Sequence, residues 1–153
     1  MKKIIVGIGN DIMGDDSVAL RVIDALEKMN IDAELDKIFS HGMDVAQRII
    51  GYDYAVIVDS STEIPPGTVA IVDENFAPMN FDSPHTLSIR ASLEILRKVG
   101  EKIPKIKIVL VGVENIEFSE EISENAKKGL EKAVNIVKEM IEGGSDEHNH
   151  YIR

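Results

Sequence analysis

The stretch Tyr54-Ala55-Val56-Ile57-Val58 is apolar at every position. A strand with one wet face alternates apolar and polar residues. An unbroken apolar run of strand length instead marks a strand covered on both faces. Such a strand needs helices above and below it, and the rest of the chain supplies them in alternation. Residues 3–8 (KIIVGI) form a buried first strand, ended by Gly7, Gly9 and Asn10. From about Asp15 to Lys28, Val18, Ala19, Val22, Ile23, Leu26 and Met29 fall at helical spacing. Residues 34–39 read as a second strand, and 43–50 as a short helix stopped by Gly51. After the third strand, Pro65-Pro66-Gly67 turns the chain into a fourth strand at 68–72 with no helix between. That strand is expected antiparallel to the third, because a parallel neighbour needs a longer crossover.

Residues 85–98 carry two signals. Leu87, Ile89, Ala91, Leu93 and Ile95 alternate as in a strand, but Ser83-Pro84 is a helix-opening pair and Gly100 a stop, so a helix is expected. Residues 106–111 make the fifth strand and 123–142 the last helix, ended by Gly143-Gly144. The expected fold is a single three-layer α/β domain over 1–144. It has an about five-stranded, mostly parallel twisted sheet with helices on both faces. Residues 145–153 read as a flexible polar tail. In open sheets of this class the functional site lies beyond the carboxyl ends of the strands, where strand order reverses.

Composition narrows the chemistry. A formal net charge of −10 argues against nucleic acid, whose phosphates must be neutralised, and against anionic membranes. No apolar run approaches the roughly 20 residues of a membrane helix, and the start of the chain lacks a signal-peptide core. A cytoplasmic protein is expected. The absence of cysteine excludes disulfides, thiolate metal sites and a cysteine nucleophile.

The loop after the first strand, Gly7-Ile8-Gly9-Asn10-Asp11-Ile12-Met13-Gly14-Asp15-Asp16, lacks the third glycine of a dinucleotide fingerprint. Its three acids would repel a pyrophosphate at the following helix, so it suits a cation. Asp59 closes the most apolar strand, at the same sheet edge. His85 lies at a helix start, where the dipole favours the neutral, metal-binding imidazole. Each residue also has a bland role open to it: helix capping for Asp15 or Asp16, a turn for Asp59, an exposed loop position for His85. Together, two carboxylates and an imidazole make an open N/O ligand set for a divalent first-row metal acting as a Lewis acid.

Four segments carry a resemblance. GIGNDIMGDDSVALRVIDAL is similar to G-x-G-N-x-x-x-x-D-[DE]-x-x-G/A, VIVDSS to a second signature with its acid at Asp59, SPHTLSI to S-P-H-Q-x-x-x, and LVGVE to L-x-G-V/I-x-P/E. All four belong to the hydrogenase maturation endopeptidases, which the chain resembles over about residues 3–142. The resemblance implies an aspartic-type, metal-dependent peptidase. It would remove the C-terminal extension of a nickel–iron hydrogenase large-subunit precursor after nickel insertion. It also implies that Asp16, Asp59 and His85 are both catalytic and metal-recognising, toward nickel supplied by the substrate. Asp16 is taken over Asp15 because the family's ligand is the second acid of the pair.

The chain departs from the family in places. Where the family often has G-G-T-x-G, it reads Ile38-Phe39-Ser40-His41-Gly42-Met43, and Thr86 and Ser88 replace Gln and Gly beyond the histidine. His41 is an extra imidazole near the expected cleft, and His148 and His150 lie in the tail. Rival readings are a receiver-like phosphoacceptor domain, a non-catalytic nickel-binding chaperone and a dinucleotide-binding domain. Against the receiver, eight residues separate Gly7 from Asp16, and Gly112-Val113-Glu114, not a lysine, follows the fifth strand.

Overall fold

The computed structural model describes residues 1–40, 42–74, 84–114, 117, 119–143 and 151–152; for 84–88 and 151–152 the description covers the backbone alone. The elements are β1 (Lys3–Ile8), a 3-10 turn (Gly14–Ser17), α1 (Val18–Glu27), β2 (Glu34–Ile38), α2 (Met43–Ile49), β3 (Tyr54–Ser61), β4 (Val69–Asp73), α3 (Pro84–Lys98), β5 (Lys105–Gly112), α4 (Glu124–Gly143) and β6 (Tyr151–Ile152). The sheet order is β2-β1-β3-β5-β4-β6. β2, β1, β3 and β5 are parallel, and β4 runs antiparallel to β5.

Strand alternation divides the core into two halves. Ile5, Val56, Val58, Val109 and Val111 face α1 and α4. Ile4, Val6, Ile8, Ala55, Ile57, Ile108 and Leu110 face α2 and α3. Both faces of β3 are therefore covered, which is why its sequence carries no polar alternation. The first crossover, through α1, leads outward from β1 to β2. The second, through α2, returns past β1 to β3. Strand order thus reverses between β1 and β3, and a crevice opens beyond their carboxyl ends.

Two expectations need correction. β4 is antiparallel, but its partner is β5 and not β3. The segment between β3 and β4 steps over the end of β5, a span of about 10 Å at two strand spacings. It is fastened there by Gly67 N–H to Gly112 O (3.0 Å) and Gly112 N–H to Thr68 O (2.8 Å). Glycine at 112 makes the crossing possible: a Cβ there would lie 2.1 Å from the Pro65 carbonyl oxygen. Next, β3 does not stop at Val58. β5 continues alongside and pairs Asp59 with Leu110, Ser60 with Val111 and Ser61 with Gly112. Beyond α4, Tyr151 and Ile152 pair with Ile71 and Ala70 at the edge of β4. The helix expected over 85–98 is present as α3. Its alternating apolar residues do not all face inward: Leu93 is fully buried and Ile95 is half exposed.

Candidate functional site

The turn after β1 folds back tightly on itself. A Cβ at Gly9 would lie 2.2 Å from the Asp16 carbonyl oxygen, and one at Gly7 2.6 Å from the Ala19 carbonyl oxygen. The two glycines thus let the 3-10 turn and α1 press onto β1; they are not a phosphate cradle. Asn10 Oδ1 accepts from Ile12 N–H (3.1 Å), and Asn10 N–H donates to Asp16 O (3.3 Å). Gly14 takes φ +53°, a conformation open to glycine at little cost.

The acid pair splits into two different environments. Asp15 is fully buried. Its carboxylate accepts from Ser123 N–H (2.7 Å), Ser123 Oγ (2.8 Å) and Glu114 N–H (3.2 Å). Ser123 in turn accepts from Ala126 N–H at the start of α4 (3.1 Å). Asp15 therefore pins the segment after β5, and with it the head of α4, to the first turn. Gly14 N–H to Ser119 O (2.7 Å) and Ser119 N–H to Ile12 O (3.0 Å) reinforce the join. Asp16 is only half-buried, and Ser60 Oγ donates to its Oδ1 at 2.8 Å.

Asp59 is 2% exposed, and the amide of Ser60 donates to its Oδ1 at 2.9 Å. By strand alternation it follows Ala55 and Ile57 on the α2–α3 face, while Ser60 follows Val56 and Val58 on the α1 face. Asp59 and Asp16 thus lie toward opposite sides of the sheet, and Ser60 donates a hydrogen bond to each.

Pro84 opens α3 and His85 is its second residue. The carboxyl end of this helix is tied to the opposite edge of the sheet by Gly51 N–H to Lys102 O (3.3 Å) and by the Lys102–Asp53 ion pair (2.8 Å). Fifteen residues at about 1.5 Å each then carry the helix about 22 Å toward the edge bearing Asp59. The His85 side chain lies outside the described residues, as do His41, His148 and His150. Among the described residues, which do not include the His85 side chain, no group of three acids or imidazoles gathers as a metal site.

Gly42, retained where the family often has G-G-T-x-G, sits at φ +85° just before α2. Phe39 and Ile12 are exposed, at 63% and 45%, on the two loops that leave β2 and β1 at this rim. Beside them Asp11, Arg21, Asp24 and Lys37 line a cleft of about 220 Å³. The sequence reading missed Ser60 and Ser123. Ser60 follows Asp59 directly and could have been noticed there. Ser123 lies 108 residues from Asp15 and carries no local signal.

The family model described as HycI, hydrogenase maturation protease, matches residues 20–140, a span that contains Asp59 and His85 and begins after Asp16. The chain is 32% identical over 121 residues to the hydrogenase 2 maturation protease of Escherichia coli K12, covering 74% of this chain and 73% of that one. Its fold matches the E. coli hydrogenase maturating endopeptidase HybD with a TM-score of 0.78 at 24% identity, over 100% of this chain and 98% of that one. The solution structure of an endopeptidase from E. coli matches with a TM-score of 0.79 at 27% identity, over 94% of each chain. No helix among the described residues is long and apolar enough to cross a membrane. The relatives leave the receiver and dinucleotide readings without support, and the chain belongs to the hydrogenase maturation protease family.

Proposed function

We propose that this protein is the endopeptidase that removes the C-terminal extension of a nickel-loaded hydrogenase large-subunit precursor, and that it recognises the substrate's nickel through Asp16, Asp59 and His85. The observation that carries the reading is that Asp16 and Asp59 both accept a hydrogen bond from Ser60 near the carboxyl end of β3, in a chain of this family. A hard, anionic oxygen pair completed by a neutral imidazole suits a divalent first-row ion, which binds only if all its donors face one point. The two acids hold the precursor's metal and its scissile peptide in register, and one of them takes a proton from the attacking water. Because the nickel arrives with the precursor, an unloaded precursor lacks the contact that completes binding, so the requirement for metal doubles as a maturation checkpoint. Ile12 and Phe39 offer the precursor apolar contact at the same rim. The setting of the activity, on this reading, is the cytoplasm.

The test is mass spectrometry of the large subunit after incubation with the enzyme. Nickel-loaded precursor should lose its extension, and nickel-free precursor should not. Asp16→Asn, Asp59→Asn and His85→Ala should each stop cleavage while remaining folded. Cleavage that persists in His85→Ala would refute the ligand set, and nickel-dependent binding with no change in mass would point instead to a chaperone of the same fold.

A further inference from the structure

We propose that Ser60 is a positioning residue that holds the two acids as a pair, an inference that rests on the function proposed above. Its hydroxyl donates to Asp16 Oδ1 and its amide to Asp59 Oδ1, at 2.8 and 2.9 Å. Asp16 belongs to the turn packed on the α1 side, whereas Asp59 belongs to the α2–α3 side. The two halves of the core are separate clusters, and Ser60 is a group that contacts both acids. Ser60 reaches both because a strand turns successive residues to opposite faces. Its side chain serves one face while its amide holds the neighbour on the other.

A hydroxyl has one proton to donate, and donation to an ionised carboxylate is among the stronger hydrogen bonds. It fixes the carboxylate plane, which decides whether a lone pair aims at an incoming ion. Ser60 itself is held in register with Val111 of the parallel strand β5, so it is part of the sheet and not a loop group. Groups that orient metal-binding residues in this way are typically worth about 10–100-fold in metal affinity or turnover.

The experiment compares Ser60→Ala and Ser60→Thr in the full chain. Threonine keeps the hydroxyl and suits a strand. Three quantities are read: kcat and KM for cleavage of nickel-loaded precursor, binding of Ni²⁺ alone to the enzyme by calorimetry, and the thermal midpoint. Ser60→Ala should lower both kcat/KM and Ni²⁺ affinity by about 10–100-fold with an unchanged thermal midpoint, and Ser60→Thr should recover most of both. Values for Ser60→Ala within about twofold of wild type would overturn the role. So would equal losses in the two variants, or a loss of activity matched by a loss of folded protein. Asp16→Asn and Asp59→Asn serve as controls in the same assays. If they still cleave, the reading of the site itself fails; if they are dead and Ser60→Ala is not, only the role of Ser60 fails.

Discussion

Replacing Asp15 with alanine removes a fully buried carboxylate that accepts from Ser123 N–H, Ser123 Oγ and Glu114 N–H. A buried donor left without its acceptor costs roughly 1–3 kcal/mol. Water recovers part of that here, because Glu114 is exposed and Ser123 half-buried. Removing a buried charge also relieves its desolvation, which works in the opposite direction. The balance predicts a loss of about 2–4 kcal/mol, a large share of the roughly 5–15 kcal/mol that holds a domain of this size together. Asp15→Asn should lose less, about 1–2 kcal/mol, because its carbonyl oxygen can still accept from Ser123 N–H and the serine hydroxyl can turn to accept from the new amide. Urea unfolding followed by circular dichroism measures both, through a lower midpoint at unchanged slope. The informative control is the neighbour. Asp16→Asn should leave the urea midpoint almost where it was and remove processing. A midpoint for Asp15→Ala within about 0.5 kcal/mol of wild type would refute the claim that the first acid of the pair serves the fold and leaves the chemistry to the second.

Further outcomes follow from the tight crossings and the peripheral charges. Gly9→Ala should destabilise by about 1–3 kcal/mol and cut processing sharply, because its Cβ would meet the Asp16 carbonyl oxygen at 2.2 Å and the turn carrying Asp16 must shift; parallel urea and cleavage assays report both. Gly112→Ala should lower the urea midpoint by a similar amount, about 1–3 kcal/mol, by pushing the Pro65 segment off the end of β5. Asp53 is held below its ordinary value of 3.8 by the Lys102 ammonium and then by the Lys2 amide. A lowered carboxylate contributes stability above its unfolded value and loses it as pH falls through its folded value. Unfolding midpoints of Asp53→Asn should therefore depend less steeply on pH below 3.8 than those of wild type, and identical acid limbs in the two proteins would contradict this.

The sequence exposed the layered sheet because burial leaves a local mark. The unbroken apolar run in β3 and the helical spacing of Val18, Val22 and Leu26 each report their surroundings within a few residues. It also marked the carboxyl ends of β1 and β3 as the place to look, since Asp59 ends the apolar run of β3 and three acids crowd the loop after β1. What it concealed was nonlocal. The placement of β4 beside β5 depends on how far the Pro65 segment travels, and a clue to it, Gly112, lies 47 residues further along the chain. The extension of β3 through Ser61 needed the length of β5, which pattern reading had cut short at Val111. Telling Asp15 from Asp16 by chemistry was out of reach, because a partner that occupies Asp15 is Ser123, 108 residues further along the chain.

That same separation explains why two adjacent acids can hold different duties. Asp15 and Asp16 share one short 3-10 turn, in which neighbouring side chains diverge by about 120°. One must point into the protein if the other points toward the crevice. Burying Asp15 against Ser123 fixes the rotation of the turn, and that rotation brings Asp16 against Ser60. The fold-bearing acid thus sets the direction of the proposed metal-bearing one, and the first signature needs both acids, although only one would touch the substrate. Exchanging the roles by mutation should fail for the same reason. In Asp15→Asn/Asp16→Asn, restoring the first acid alone should recover stability without processing, and restoring the second alone should recover processing only to the extent that the turn stays folded. Full processing in a chain carrying both Asp15→Ala and Asp16 intact, at wild-type stability, would show that the turn's direction is set elsewhere.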